Sequence, residues 1–206
     1  MKIIKPSVEI IDDLNAGTIY KKLERASRVC YKSEGSTTED SAPKFLANII
    51  KRGHESVLEH QSITVKFICD RGGTHEMVRH RIASYSQEST RYANYSNDKF
   101  GNEITVIEPC FWNKNTDEYE LWEKACEEAE WAYMQMLSDG ATPQEARSVL
   151  PNSLKAEIFM TANIREWRHF LKLRTSPASH PQIVEISKML LEQFNEILPV
   201  LFNDIS

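Results

Sequence analysis

Between Arg79 and Tyr92 the chain reads R-H-R-I-A-S-Y-S-Q-E-S-T-R-Y, where three arginines, a histidine and four short hydroxyl side chains outweigh Ile82 and Ala83, the only clearly apolar members. No fold can bury such a run in a hydrocarbon core, because unpaired charge there is too costly. Yet Val65, Phe67, Ile68, Met77 and Val78 just before it read as buried, and a charge cluster pinned to buried segments usually has a task. Guanidinium groups keep their charge and present a rigid fork of donors, so Arg79, Arg81 and Arg91 suit a phosphate or another planar polyanion. Ser84, Ser86, Ser89 and Thr90 supply short donors to complete such a cradle. The plain alternative is a solvated basic turn, since 30 acidic residues stand against 25 basic ones.

With 206 residues and 41% hydrophobic content, one domain spanning 1–206 is the simplest expectation. The net charge of -5 argues against a dedicated nucleic-acid binder, which needs a basic field. Cys30, Cys69, Cys110 and Cys126 form no C-x-x-C pair, so reduced thiols are expected. Lys2 and Lys5 bracket only two isoleucines and no apolar run reaches membrane-span length. A cytoplasmic location with no membrane partner is therefore expected.

Period and punctuation give the elements. Residues 2–11 contain Pro6 and suit an edge strand. A helix is expected over Gly17–Tyr31 with Ile19, Leu23, Ala26 and Val29 inward, and another from Thr38–Ser41 to Gly53. Ser62–Cys69 alternates as a half-buried strand. Gly72-Gly73 reads as a turn into a short helix over Thr74–His80. A strand follows at Ile104–Ile107, and a packing helix at Asp117–Ser138 with Trp122, Ala125, Cys126, Ala129, Ala132, Tyr133 and Met136 inward. Pro143 opens a short helix carrying Arg147. Leu154–Ala162 alternates, Asn163–Arg174 reads as an amphipathic helix with Trp167, Phe170, Leu171 and the Arg174 stem inward, and a last helix carries Ile183, Ile186, Leu190 and Phe194.

Arg79-His80-Arg81, seven residues, then Ser89, with Ser84 between and Arg91 two further on, resembles the signature of the flavin-dependent thymidylate synthases. Four more segments agree in order: G-H-E-S-V-L-E-H at 53–60, Glu76 ahead of the arginines, A-R-S-V-L-P with Arg147, and N-I-R-E-W-R-H-F-L-K-L-R at 163–174 followed by His180-Pro181-Gln182. The resemblance implies reductive methylation of deoxyuridine monophosphate (dUMP) to thymidine monophosphate (dTMP). FAD would be the hydride carrier, 5,10-methylenetetrahydrofolate the carbon donor and NADPH the reductant. It assigns Glu76, Arg79, Gln87, Glu88, Ser89, Thr90, Arg91, Arg147 and Arg174 to dUMP. Ser56, Arg79, His80, Arg81, Gln87, Asn163, Ile164, Arg165, His169 and His180 go to FAD. Arg174 and His54 would serve the reacting centre. Position 169 is often Asn in this family and is His here. Pro109-Cys110 looks like the nucleophile of the classical synthases, but Phe111-Trp112 follow and Cys110 is read as structural.

The resemblance further implies a homotetramer with flavin sites between subunits. Its fold would be of α/β (α+β) type, with a mixed or mainly antiparallel sheet flanked by helices. The absence of G-x-G-x-x-G excludes a Rossmann crevice for the flavin. Two rivals remain: a nucleotide or nucleic-acid binding module, and a metal hydrolase built on His54, His60, His75 and His80. The spacings of those histidines do not stack them on one helical face, so no metal is expected. Ser89 near His80 faintly resembles an activated hydroxyl, but no acid to orient His80 is evident, and Ser89 is read as a ligand.

Overall fold

The computed structural model describes residues Met1 to Ile205. Pro6 breaks the first strand in two, β1 (Lys2–Ile4) and β2 (Ser7–Ile10), because it has no N–H for the ladder. Helices α1 (Ala16–Arg28) and α2 (Ser41–Lys51) follow, then β3 (Ser62–Asp70), α3 (Arg71–Met77), β4 (Ala83–Gln87) and β5 (Thr105–Ile107). The remaining elements are α4 (Asp117–Ser138), α5 (Pro143–Ala146), β6 (Lys155–Asn163), α6 (Ile164–Arg174), α7 (Pro181–Ile197) and α8 (Pro199–Phe202).

A four-stranded sheet has the order β2-β3-β6-β4, and β1 pairs in parallel with β5 in a second sheet. Gln61 lies opposite Ile164, Thr64 opposite Thr161 and Arg71 opposite Leu154, so β3 and β6 run antiparallel. Both strands alternate as their sequences require, with Ile63, Val65 and Phe67 fully buried on β3 and Ala156, Ile158 and Met160 buried on β6. The α+β class expected from the sequence is the class observed.

The chain divides into two compact units. One comprises Met1–Ser7, Phe67–Arg79 and Ser86–Ile158, the other Val8–Lys66, His80–Tyr85 and the chain from Phe159 on. The first, here the β1/α4 unit, has a core of Ala93, Tyr95, Ile104, Val106, Cys126, Tyr133, Ala146 and Leu154. The second, the α6/α7 unit, centres on aromatic packing: Trp167 meets Phe170 and Phe194 edge-on, and Phe194 stacks on Phe202 at 4.5 Å. The Trp167 indole N–H is satisfied by the Ile63 carbonyl at 3.0 Å.

Several expectations need correction. In α1 the inward side is Ile19, Tyr20, Leu23, Glu24, Ser27 and Arg28, while Val29 is exposed. Glu24 and Arg28 pair at 2.7 Å one turn apart, which lets a charged stripe face inward. Gly72-Gly73 do not turn into α3 but lie within it. The Asp70 carboxylate caps the helix by accepting from the Gly73 N–H at 2.8 Å, and a Cβ on Gly72 would sit 2.8 Å from that carboxylate. In α4 Tyr119, Cys126 and Tyr133, one heptad apart, are buried and the expected Trp122 and Met136 pack half-buried against the core, but Ala125 faces solvent. Ala83–Gln87, read only as a polar signature, is strand β4.

Candidate functional site

In the α6/α7 unit the site grows from α6. Asn163 caps this helix by accepting from the Glu166 N–H at 2.9 Å, and the strand-to-helix step at Asn163 fixes where the first turn begins. The 3.6-residue period then aligns Glu166, Phe170 and Arg174 on one side, all buried. His80, also buried, fits between them. Its Nδ1 lies 3.0 Å from Glu166 Oε1, and its Nε2 accepts a hydrogen bond from Arg174 Nε at 3.1 Å. Phe170 closes edge-on against the ring at 4.9 Å, His169 lies at 5.4 Å, and the Tyr85 hydroxyl donates to the His80 carbonyl at 2.7 Å.

An arginine cannot accept a hydrogen bond, so His80 Nε2 must carry a lone pair and Nδ1 must carry the proton. The imidazole is then neutral. The electrostatics agree: burial first, and then the Arg174 charge, hold the His80 pKa below its ordinary value against the opposing pull of the Glu166 hydrogen bond. The same environment pushes the Tyr85 phenol up to about 12, mainly through burial and then through Glu166. The acid that the sequence did not reveal is therefore present. It does not make His80 a base for a hydroxyl, because the nitrogen that would take a proton already receives one from Arg174.

Beside this cluster a cavity of about 570 Å3 is lined by Glu55, Glu59, Ile82, Asn163, Arg165, Glu166, His169 and Lys172. Three residues expected at the flavin, Asn163, Arg165 and His169, thus share one cavity. Arg165 pairs there with Glu59, and Lys172 lies 3.5 Å from Glu55. His54 precedes the 3-10 turn Glu55–His60, and His54 and Ser56 are exposed. Ile164 is buried, whereas Arg81 and His180 are exposed, and His180 Nδ1 caps α7 by accepting from the Gln182 N–H at 3.4 Å. The floor of the turn is set by Arg168, fully buried, which binds Glu55 at 3.1 Å, both oxygens of Asp204 at 2.7 Å and the Leu201 carbonyl.

The β1/α4 unit holds the residues expected at the nucleotide other than Arg174. Glu76 and Gln87 are half-buried, and the Gln87 amide donates to Thr74 Oγ1 at 3.0 Å. Arg147, from the 3-10 turn after α5, reaches buried Thr90 at 3.4 Å, and Arg91 reaches Gln144 at 3.5 Å. Arg79 and Ser89 are exposed, and the Arg79 side chain makes no ion pair with any described residue. The Glu88 carboxylate is committed within the protein, to Lys155 at 3.0 Å and the Tyr95 hydroxyl at 3.3 Å.

The described residues bring His80 together with Glu166 and His169 at metal-ligating separations, not with the other three histidines of the hydrolase reading. Both His80 nitrogens are already engaged, and a cation at Nε2 would confront Arg174, so the donor set does not suit a metal. Sequence reasoning missed Glu166, Tyr85, Glu55, Ile82 and Lys172. Glu166 alone left a signal, standing four residues before Phe170 on the inward stripe.

The sequence profile described as "Thymidylate synthase complementing protein" matches residues 16–200. A flavin-dependent thymidylate synthase of Pyrococcus abyssi is 36% identical over 85% of this chain and 75% of its own length. One of Geobacter sulfurreducens is 33% identical over 87% and 78%, and one of Mycobacteroides abscessus 30% over 98% and 85%. Among solved structures, a UMP/dUMP methylase, PolB, from Streptomyces cacaoi bound with 5-Br dUMP superposes with a TM-score of 0.78 at 23% identity, covering 98% of this chain and 96% of that one. The chain belongs to the thymidylate synthase complementing protein family. No helix among the described residues is long and apolar enough to cross a membrane.

Proposed function

We propose that this chain catalyses the reductive methylation of dUMP to dTMP with FAD bound, taking the carbon from 5,10-methylenetetrahydrofolate and electrons from NADPH, and that it works as a homotetramer. The observation that carries the reading is the family match from residue 16 to residue 200, which contains every residue assigned a role. The α6/α7 unit offers a donor set that fits a flavin: Arg165 and Lys172 for a pyrophosphate that would displace Glu59 and Glu55 from them, the amide N–H groups of Asn163 and the His169 ring for polar ring edges, and exposed Ile82 for an apolar face. When bound, the flavin supplies the hydride chemistry that no side chain can.

The protein's own share is to bind, orient and polarise. Arg79, Arg91 and Arg147 take the phosphate, with Gln87 and Ser89 on the sugar and base. Arg174 bears on the uracil carbonyl, where a fixed cation stabilises the negative charge that develops as C5 becomes nucleophilic. Its guanidinium is positioned before substrate arrives, so little reorganisation is needed in the transition state. The test is the visible spectrum of protein incubated with FAD and freed of excess. A retained flavin band that bleaches under anaerobic NADPH, at a rate altered by dUMP, is expected. Protein that keeps neither flavin nor dUMP would overturn the reading.

A further inference from the structure

The row Glu166–His80–Arg174 joins two side chains of α6 to one from the loop before β4 by two hydrogen bonds, at 3.0 and 3.1 Å, all three residues buried. Each link has a polarity. The carboxylate can only accept, so it demands a proton on His80 Nδ1; the guanidinium can only donate, so it demands a lone pair on Nε2. One tautomer of a neutral ring meets both demands, and protonation of the ring breaks the second link. We propose that Glu166 is a positioning residue for Arg174, acting through His80: it fixes the ring tautomer that presents a lone pair to Arg174 Nε, and so aims the guanidinium. The inference deepens the role assigned to Arg174 above and rests on that reading.

Three features favour positioning over simple packing. Glu166 does not reach Arg174 through a direct ion pair; the ring stands between them as a rigid spacer, which sets direction as well as attraction. The ring plane is itself held, by Phe170 edge-on at 4.9 Å and by Tyr85 on the His80 carbonyl at 2.7 Å. Glu166 also sits on the first turn of the helix that carries Arg174 near its end, so one rigid element holds both outer members at fixed separation. The charged or titratable groups facing the ring are Glu166, Arg174 and His169 from α6, with Tyr85 from β4 on its carbonyl.

The first test needs no catalysis. In protein with 15N-labelled histidine, with the His80 resonances assigned by comparison with His80→Gln, long-range 1H–15N correlation should show His80 neutral at pH 7, protonated on Nδ1 and bare on Nε2. A ring protonated on Nε2, or on both nitrogens, at pH 7 would overturn the proposal whatever the enzyme does. The second test is kinetic. Glu166→Gln should lower kcat for dUMP methylation by about tenfold, the lower end for a partner that orients a functional ligand, with KM for dUMP nearly unchanged. Because Glu166 raises the affinity of His80 for a proton, removing its charge should also move the acid limb of the kcat profile to lower pH. A residue that only supported packing would lower folded protein or raise KM and leave that limb in place, and this outcome would refute positioning. In a His80→Gln background, whose amide oxygen can still accept from Arg174, Glu166→Gln should add little, and full additivity would count against the relay. If wild-type protein makes no dTMP while His80 shows the expected tautomer, it is the proposed function that fails and not the row.

Discussion

Arg168 and Arg174 of the α6/α7 unit are held in the opposite way from Arg79, Arg91 and Arg147 of the β1/α4 unit. In the α6/α7 unit Arg168 and Arg174 are buried, and the contacts of Arg168 with Asp204 and of Arg174 with His80 measure 2.7 to 3.1 Å. In the β1/α4 unit Arg91 and Arg147 are exposed and reach neutral oxygens only at 3.5 and 3.4 Å, while Arg79 has no ion pair with a described residue. A buried guanidinium must be satisfied by the protein itself, since its desolvation is otherwise uncompensated. An exposed one keeps its donors in water and can exchange them for a phosphate, at the cost of side-chain entropy of about 2 kcal/mol. The first kind is fixed before any ligand arrives; the second is set to shape itself around one.

Removing the most enclosed arginine should show the largest effect. Arg168→Ala takes their donor from Asp204 and the Leu201 carbonyl and empties the space of a fully buried side chain, which should cost about 2–5 kcal/mol, to be read from the shift in urea midpoint. Arg91→Ala should move that midpoint by no more than about 0.5 kcal/mol, as exposed sites do. Equal losses would erase the distinction between the two units.

Arg174→Ala should lower kcat by about two to three decades, the usual cost of one lost donor to developing charge, while isothermal titration still detects dUMP. In the other unit the sign pattern reverses. Arg147→Ala should raise KM for dUMP by about ten- to a hundredfold, the worth of one hydrogen bond to a charged group, and leave kcat close to wild type. A kcat loss without a KM change at Arg147 would move it from binding to catalysis.

The smallest effect is in pH. The folded pKa of His80 lies below its unfolded value, so as pH falls through about 6.5 the unfolded chain takes the proton first. Its contribution to stability is whole above that pH and declines below it until the folded pKa is passed. Urea midpoints at descending pH should therefore fall less steeply in His80→Gln than in wild type, and parallel curves would contradict a neutral buried ring.

Regular alternation made β3 and β6 legible and helical period made α4 and α6 legible, because their large apolar side chains recur on one side. The habit of reading charge as outward hid Glu24, Arg28 and Arg168, which are buried only because a partner from the same or another segment satisfies them. Strand β4 was illegible for a different reason: A-S-Y-S-Q alternates exposed with half-buried positions, without an apolar period. The start of α3 was misplaced because Asp70 caps the helix before two glycines that usually mark a turn. At the site, the inward stripe of α6 was in view with Phe170 and Arg174, but Glu166 gained meaning only when tertiary folding brought His80 to it.

The most direct measurement is product analysis after anaerobic incubation of the FAD-loaded protein with dUMP, NADPH and 5,10-methylenetetrahydrofolate labelled in its methylene carbon. Labelled dTMP should form with wild-type protein, and Arg174→Ala should reduce its rate by about two to three decades. Unconverted dUMP, in protein shown to hold both flavin and nucleotide, would contradict the proposed reaction.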